Sequence, residues 1–294
     1  MGVKVMLAID SFGIIGGDER QLAMAESMEK DGYKVYISGF GNKSFYNNIK
    51  NTTVSEVIEK NEYIVLPLPV TKDFINLNAP FSEENIVLDD KFAKMLKNKK
   101  IFCGVSDNLK KIGAFWEDLS IKDFSTREEF AINNAVPTAE GAIEIAMKET
   151  KKTINGSRCL VSGYGRIGKV LAKMLNGLGA DVTISARKAE DLAFIKLLGY
   201  NPILTSQIQN TGPYDIIFNT IPALVFDIKT LVHSAKDALI IDLASLPGGV
   251  DFNAAQRLKI NTIHALALPG KVAPYTAGEI IKNTVYNMIK EENE

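Results

Sequence analysis

The chain has 294 residues, 46% of them hydrophobic and 23% charged, with a formal net charge of -1. That length exceeds one small core and suits two α/β domains, and the balanced charge argues against a nucleic-acid or membrane-surface partner. Two cysteines, Cys103 and Cys159, lie in separate apolar runs and make no disulfide framework, and with only His233 and His264 beside them no metal cage is expected.

The opening "MGVKVMLAID" is too short an apolar stretch for a signal-peptide core, and Met6 stands where a myristoylation motif needs Ser or Thr. Charge, Gly or Pro breaks every apolar run within about 20 residues, short of a membrane span. A soluble, intracellular protein is expected. Short β-branched runs alternate with helical patterns, which predicts parallel sheets joined by right-handed crossovers. The first strand lies within 4–15, at either 4–9 or 11–15. Further strands are predicted at 34–40, 63–70, 85–88 and 100–106, and helices at 18–30, 90–97 and 126–134. Residues 1–135 are expected to form a flavodoxin-like doubly wound domain, to which the helix 276–294 returns.

A second domain, 136–275, is predicted to begin with a helix opened by Pro137, on which Ala142, Ile143, Ala146 and Met147 share a face. Gly141 inside it costs about 1 kcal/mol relative to Ala, so either a packed helix or a ligand should approach its backbone. Strands follow at "RCLVS", "DVTISA", "YDIIFNT", "ALIIDLA" and "NTIHALAL". The last helix carries Ile280 or Ile281, Thr284 or Val285, and Met288 on one stripe.

In "CLVSGYGRIGKVLAKML", Gly163, Gly165 and Gly168 make a G-x-G-x-x-G pattern after a strand and at the head of an amphipathic helix. Gly163 permits the tight turn, Gly165 lets a pyrophosphate reach the backbone, and Gly168 lets helix and strand close. The helix N-terminus at Arg166 and Ile167 favours an anion. A Rossmann dinucleotide-binding domain is therefore predicted. The second strand of such a unit usually ends in an acid that binds the ribose hydroxyls of NAD, but here stand Ser185, Arg187 and Lys188. Cations at that place bind a 2'-phosphate that a carboxylate would repel, so the cofactor is read as NADP, against the alternative of two solvated surface cations. Thr220, Ile221 and Pro222 in "FNTIPA" fall where a loop passes the nicotinamide ribose. "DLASLPGG" and "ALPGKVAP" close the following strands with loops at the same carboxyl edge.

In chain order, "GGDERQ", "VPTAEG", "GYGRIG" followed by "SAR", "NTIPA", "DLASLPGGVDF" and "LPGKVAPYTAG" together resemble the A-subunit family of dipicolinate synthase. The resemblance implies an NADP-dependent enzyme that oxidises dihydrodipicolinate to dipicolinate during sporulation, in the cytoplasm of the mother cell. It also implies a second, flavoprotein-like B-subunit as partner and a small diacid substrate, and leaves a homo-oligomer open. Lys271 and Tyr275 depart from the apolar residue and lysine of the family pattern.

Such a site needs a nicotinamide face, carboxylate binders and an acid/base. Arg20 is the candidate for a substrate carboxylate, against an exposed cation paired with Asp18 or Glu19. Asp18 is read as an acid/base group or as an N-cap. Glu140 is the candidate general base, against an acid placed in a first turn by the helix dipole. Thr138, Ser245, Gly248, Lys271 and Thr276 are further substrate-binding candidates, with Gly249 beside them as an amide donor. The alternatives are a 2-hydroxyacid or alanine-type dehydrogenase, disfavoured by the scarcity of histidine, and a cofactor-binding protein without chemistry of its own, active only through its partner.

Overall fold

The computed structural model describes residues 9–43, 48–234 and 237–293. The chain divides into two compact units, Met1–Asn133 with Ala273–Glu294, and Asn134–Val272. Each contains one six-stranded sheet, with all strand pairs parallel.

The first unit holds β1 (Ser11–Ile15), β2 (Lys34–Ser38), β3 (Ile49–Asn51), β4 (Tyr63–Val65), β5 (Lys100–Cys103) and β6 (Ile121–Asp123), in the order β3-β2-β1-β4-β5-β6. The strand predicted at 11–15 forms, while residues 4–8 of the alternative lie outside the described residues. The flavodoxin-like expectation is corrected. Without β3 the order would read 2-1-3-4-5, but β3 lies outside β2 and makes it 3-2-1-4-5-6. A three-residue edge strand with two exposed positions carries no periodic signal in the sequence. The strand predicted at 85–88 is also corrected: Leu77 donates to the Ile86 carbonyl and Leu88 to that of Ile75, so the segment folds back on itself and Val87 makes only an antiparallel bridge.

Both faces of this sheet are covered, which is why its strands read as nearly unbroken apolar runs. One face buries Phe12, Ile14, Val35 and Ile37 beneath Met24 and Met28 of the Glu19–Lys30 helix and Ile281, Val285 and Ile289 of the Pro274–Asn293 helix. The other buries Ile15, Ile64, Ile101 and Trp116.

The second unit holds β7 (Arg158–Ser162), β8 (Asp181–Ala186), β9 (Asn201–Leu204), β10 (Ile216–Asn219), β11 (Leu239–Asp242) and β12 (Asn261–His264), ordered β12-β11-β10-β7-β8-β9. This is the doubly wound dinucleotide-binding order, with its switch point between β7 and β10. The sequence reading misses β9 because Pro202 lies inside it; as an edge strand it tolerates the missing donor.

The two helices predicted on either side of Pro137 are one, Glu128–Glu149, with the proline in its interior. Wholly buried Ala139, Ala142 and Ala146 hold it continuous through packing, which overrides the local signal to break. Gly141 is explained by a packed helix. A Cβ there would stand 3.1 Å from Leu268 Cβ and 3.2 Å from Val272 Cγ1, on the Leu268–Val272 helix.

Cys103 and Cys159 are buried, and burial pushes the Cys159 thiol up to about 12, so both act as core hydrophobes. Among the described residues no helix is long and apolar enough to cross a membrane, and no group of three or more His, Cys, Asp or Glu is placed to hold a metal.

Candidate functional site

The glycine pattern lies between β7 and the Arg166–Gly177 helix, and its three glycines meet three different surroundings. Gly163 has φ +104°, and a Cβ there would sit 2.5 Å from Thr220 Oγ1 and 3.0 Å from Ile221 Cγ1. At Gly168 a Cβ would fall 2.1 Å from the Gly163 carbonyl oxygen, so the helix can approach the strand only without one. Gly165, the helix N-cap, has nothing within 4 Å of its Cβ position. The turn is therefore closed on both sides and open in the middle, where an anion can reach backbone amides. Arg166 begins the helix from an exposed position, and Ile167 turns toward the core.

From the neighbouring loop, the Thr220 hydroxyl and amide both donate to the Ser162 carbonyl at 2.9 Å, which fixes Thr220 and Ile221 against the turn. Pro222 is exposed beyond them.

Ser185, Arg187 and Lys188 part company. Ser185 is wholly buried, within reach of the Ser162 hydroxyl at 3.4 Å and taking a bond from that of Thr205 at 3.3 Å. Burial inside the sheet keeps its hydroxyl on these two neighbours. Lys188 is an exposed cation 3.4 Å from Glu190, with both side chains about 70% exposed. That is the solvated surface pair, worth little.

Arg187 instead lines a cavity of about 410 Å³ with Leu204, Thr205, Ser206, Gln209, Leu224 and Val225, at the carboxyl ends of β8, β9 and β10. Among the described residues no acid lines it. Thr205, Ser206 and Gln209 are absent from the sequence expectations because β9, which delivers them, has no clear sequence signal. Hydroxyl and amide side chains just after a strand are the feature that could have found them.

The loop after β11 corrects another expectation. The Gly248 amide donates to the Ser245 carbonyl at 2.8 Å and the Gly249 amide to Asp242 Oδ2 at 2.7 Å, so neither is available to a ligand. The Ser245 side chain is exposed at the tip of the loop, and Lys271 is exposed on the Leu268–Val272 helix. His264 ends β12 rather than lying mid-strand, and its Nε2 donates to the Ala244 carbonyl at 3.0 Å. Asp242, to which sequence reasoning gives no role, and Asn219, which it places with Thr220 to Pro222 beside the nicotinamide ribose, are wholly buried at the ends of β11 and β10.

In the first unit, Asp18 caps the Glu19–Lys30 helix. It also takes Arg20 Nε and Nη2 at 2.9 Å each, while Arg20 Nη2 reaches the Leu68 carbonyl. Burial alone would raise the Asp18 carboxyl, but the hydrogen bonds and charge of Arg20 outweigh that and hold it below the usual carboxylate range. An acid/base role for Asp18 gives way to that of a cap and a holder for Arg20. Thr276 is exposed in the first turn of the Pro274–Asn293 helix. Two residues on, a Cβ at Gly278 would sit 2.4 Å from the Arg20 carbonyl oxygen, so that turn packs on the start of the Glu19–Lys30 helix.

Thr138 is buried, and its hydroxyl donates to the Asn134 carbonyl at 2.7 Å. Glu140 is exposed in mid-helix rather than in a first turn, because the helix begins at Glu128; it lines a shallow depression with Ile143, Met147 and Leu178.

Residues 11–114 match the model of the N-terminal domain of the dipicolinate synthase A-subunit. Over 291 residues, 97% of this chain and 98% of the relative, the sequence is 34% identical to the dipicolinate synthase A-subunit of Bacillus subtilis (strain 168). The chain belongs to the dipicolinate synthase A-subunit family. Two crystal structures from this family superpose closely. The A chain from Bacillus subtilis gives a TM-score of 0.87 at 32% identity, covering 98% of each chain. The A-subunit from Bacillus halodurans gives 0.86 at 32% identity, over 95% of this chain and 97% of that one. The fold is also shared with a transhydrogenase of Sinorhizobium meliloti, TM-score 0.69 at 11% identity over 95% of this chain and 94% of that one. The chain's fold is thus α/β, two parallel six-stranded sheets with flanking helices, the second in the dinucleotide-binding strand order.

Proposed function

We propose that the chain is an NADP-dependent oxidoreductase that converts dihydrodipicolinate to dipicolinate as one component of dipicolinate synthase, in the cytoplasm of a sporulating cell. One observation carries the cofactor reading: an open glycine cradle at Gly165 lies at the same sheet edge as a cavity lined by Arg187 and, among the described residues, by no acid. Its volume of about 410 Å³ falls in the range of roughly 300–1,000 Å³ usual for small-molecule sites. The substrate reading rests on family membership. The relatives are named as subunits, which supports a partner, read as a flavoprotein-like B-subunit.

When bound, the nicotinamide would supply the hydride acceptor. The chain's own residues have separate tasks. Arg20, held by Asp18 and the Leu68 carbonyl, is the cation for a substrate carboxylate. Lys271 and Thr276 are further donors, and the exposed carboxyl of Glu140 takes the proton that leaves as the ring becomes aromatic. Arg187 reads the 2'-phosphate, with Ser206 and Thr205 beside it.

The test is dipicolinate formation from freshly generated dihydrodipicolinate with NADP or NAD, by the chain alone and with its partner. Formation should depend on this chain and prefer NADP. Arg187→Ala should weaken NADPH by about tenfold or more and NADH little, a loss of about 1.4 kcal/mol. Glu140→Gln should slow turnover by roughly a hundredfold with NADPH binding kept. Equal use of NAD and NADP, before and after Arg187→Ala, would overturn the cofactor assignment. Unchanged turnover in Arg20→Ala would make the chain a cofactor-binding component without chemistry.

A further inference from the structure

At the carboxyl edge of the second sheet, Ser162 of β7, Asn219 of β10, Asp242 of β11 and His264 of β12 stand in register on neighbouring strands. Asn219 and Asp242 are wholly buried, and among the described residues their side chains bond, beyond the bond that joins them, only to the two loops that follow. Asn219 Nδ2 donates to Asp242 Oδ1 at 2.8 Å and to the Ile221 carbonyl at 3.0 Å, while its Oδ1 accepts from the Ile221 amide at 3.2 Å. Asp242 Oδ1 also accepts from the Ala244 amide at 3.1 Å, and Oδ2 from the Gly249 amide at 2.7 Å.

Outside this pair, His264 holds the Ala244 carbonyl, and the Val225 and Phe226 amides donate to the Gly249 carbonyl at 3.0 and 2.9 Å. The two loops are also in close contact. A Cβ on Gly249 would fall 2.3 Å from Asn219 Nδ2 and 2.6 Å from the Ile221 carbonyl, and one on Gly248 2.6 Å from Asp242 Oδ2.

An acid and an amide buried at the end of an aliphatic sheet are costly to desolvate, and a well-packed aliphatic pair would often serve stability as well. Their place suggests another use. In this fold the strands beyond the switch point carry the second mononucleotide, the half that is not the adenosine. We propose that Asn219 and Asp242 are positioning residues that clasp the loops 219–226 and 242–249 into one rigid shelf for the nicotinamide half of the cofactor, without touching it. The proposal rests on the NADP reading above.

The test compares NADPH with 2',5'-ADP, which carries only the adenosine and its 2'-phosphate, in binding titrations of the full chain. Asp242→Asn places an amide donor opposite the Gly249 amide. It should weaken NADPH by about tenfold or more, as expected for a buried donor left unpaired, and change 2',5'-ADP by less than about twofold. Asn219→Ser, which shortens the clasp from the other side, should give the same split, and it carries the test if Asp242→Asn fails to fold. Equal loss of both ligands, or no loss of NADPH, in a variant with unchanged circular dichroism would overturn the proposal. A wild-type chain that binds neither ligand would remove the NADP reading and this proposal with it.

Discussion

Asp18 and Arg20 show how a residue's chemistry is set by its neighbour. In the sequence an Asp two places before an Arg is equally an N-cap, an acid or half of an ion pair. The structure makes it cap and ion-pair partner together, with Arg20 taking both carboxylate oxygens. The folded carboxyl lies below the usual range, because Arg20 more than offsets the upward push of burial. Its contribution to stability is therefore present above about pH 4, the ordinary aspartate value, and is lost as acid takes the pH down through the lower folded value. Asp18→Asn should cost about 1–3 kcal/mol near neutral pH, the worth of hydrogen bonds to a charged group. In urea melts the gap between variant and wild type should close as the pH falls below the ordinary aspartate value. A gap constant with pH would mean that the cap, and not the charge, carries the effect.

Among the secondary-structure elements, the strand, turn and helix from β7 to Gly177 are legible in the sequence because each signal is local: an apolar run, three spaced glycines and an amphipathic repeat. The structure then separates the glycines by their surroundings. Gly168→Ala meets the Gly163 carbonyl at 2.1 Å and must displace backbone, so it should lower the melting temperature by several degrees, in line with overpacking costs of about 1–3 kcal/mol. Gly165→Ala meets nothing within 4 Å, at a φ of −85° that alanine accepts. It should leave the melting temperature nearly unchanged while weakening NADPH. If both variants melted alike, the division between a packing glycine and a ligand-facing glycine would be wrong. The elements that the sequence obscures, β3, β9 and the helix through Pro137, are short, interrupted or held by contacts distant in sequence.

Across the full chain, the returning Pro274–Asn293 helix supplies part of the core of the first unit. It buries Ile281, Val285 and Ile289 to 1% exposure or less, each worth about 1.5–3 kcal/mol, against a usual domain stability of about 5–15 kcal/mol. Buried Lys282 pairs with Asp31 at 2.9 Å, and Glu291 takes Arg127 at 2.6 and 2.7 Å. Truncation after Val272 should abolish the cooperative melt of the first unit and leave that of the second, with NADPH binding retained. Loss of both transitions together would show that the units do not fold separately.

Hydrophobic period and motif spacing are written along the chain, and they sufficed for the parallel α/β class, the glycine turn after β7, the family and the return of the last helix. Tertiary contacts alone settled which of Ser185, Arg187 and Lys188 faces a cavity, that Asp18 is bound to Arg20, and that "NTIPA" and "DLASLPGG" are clasped by Asn219 and Asp242. Burial and hydrogen-bond partners arise from strands that meet across the sheet, and a linear pattern does not carry that information.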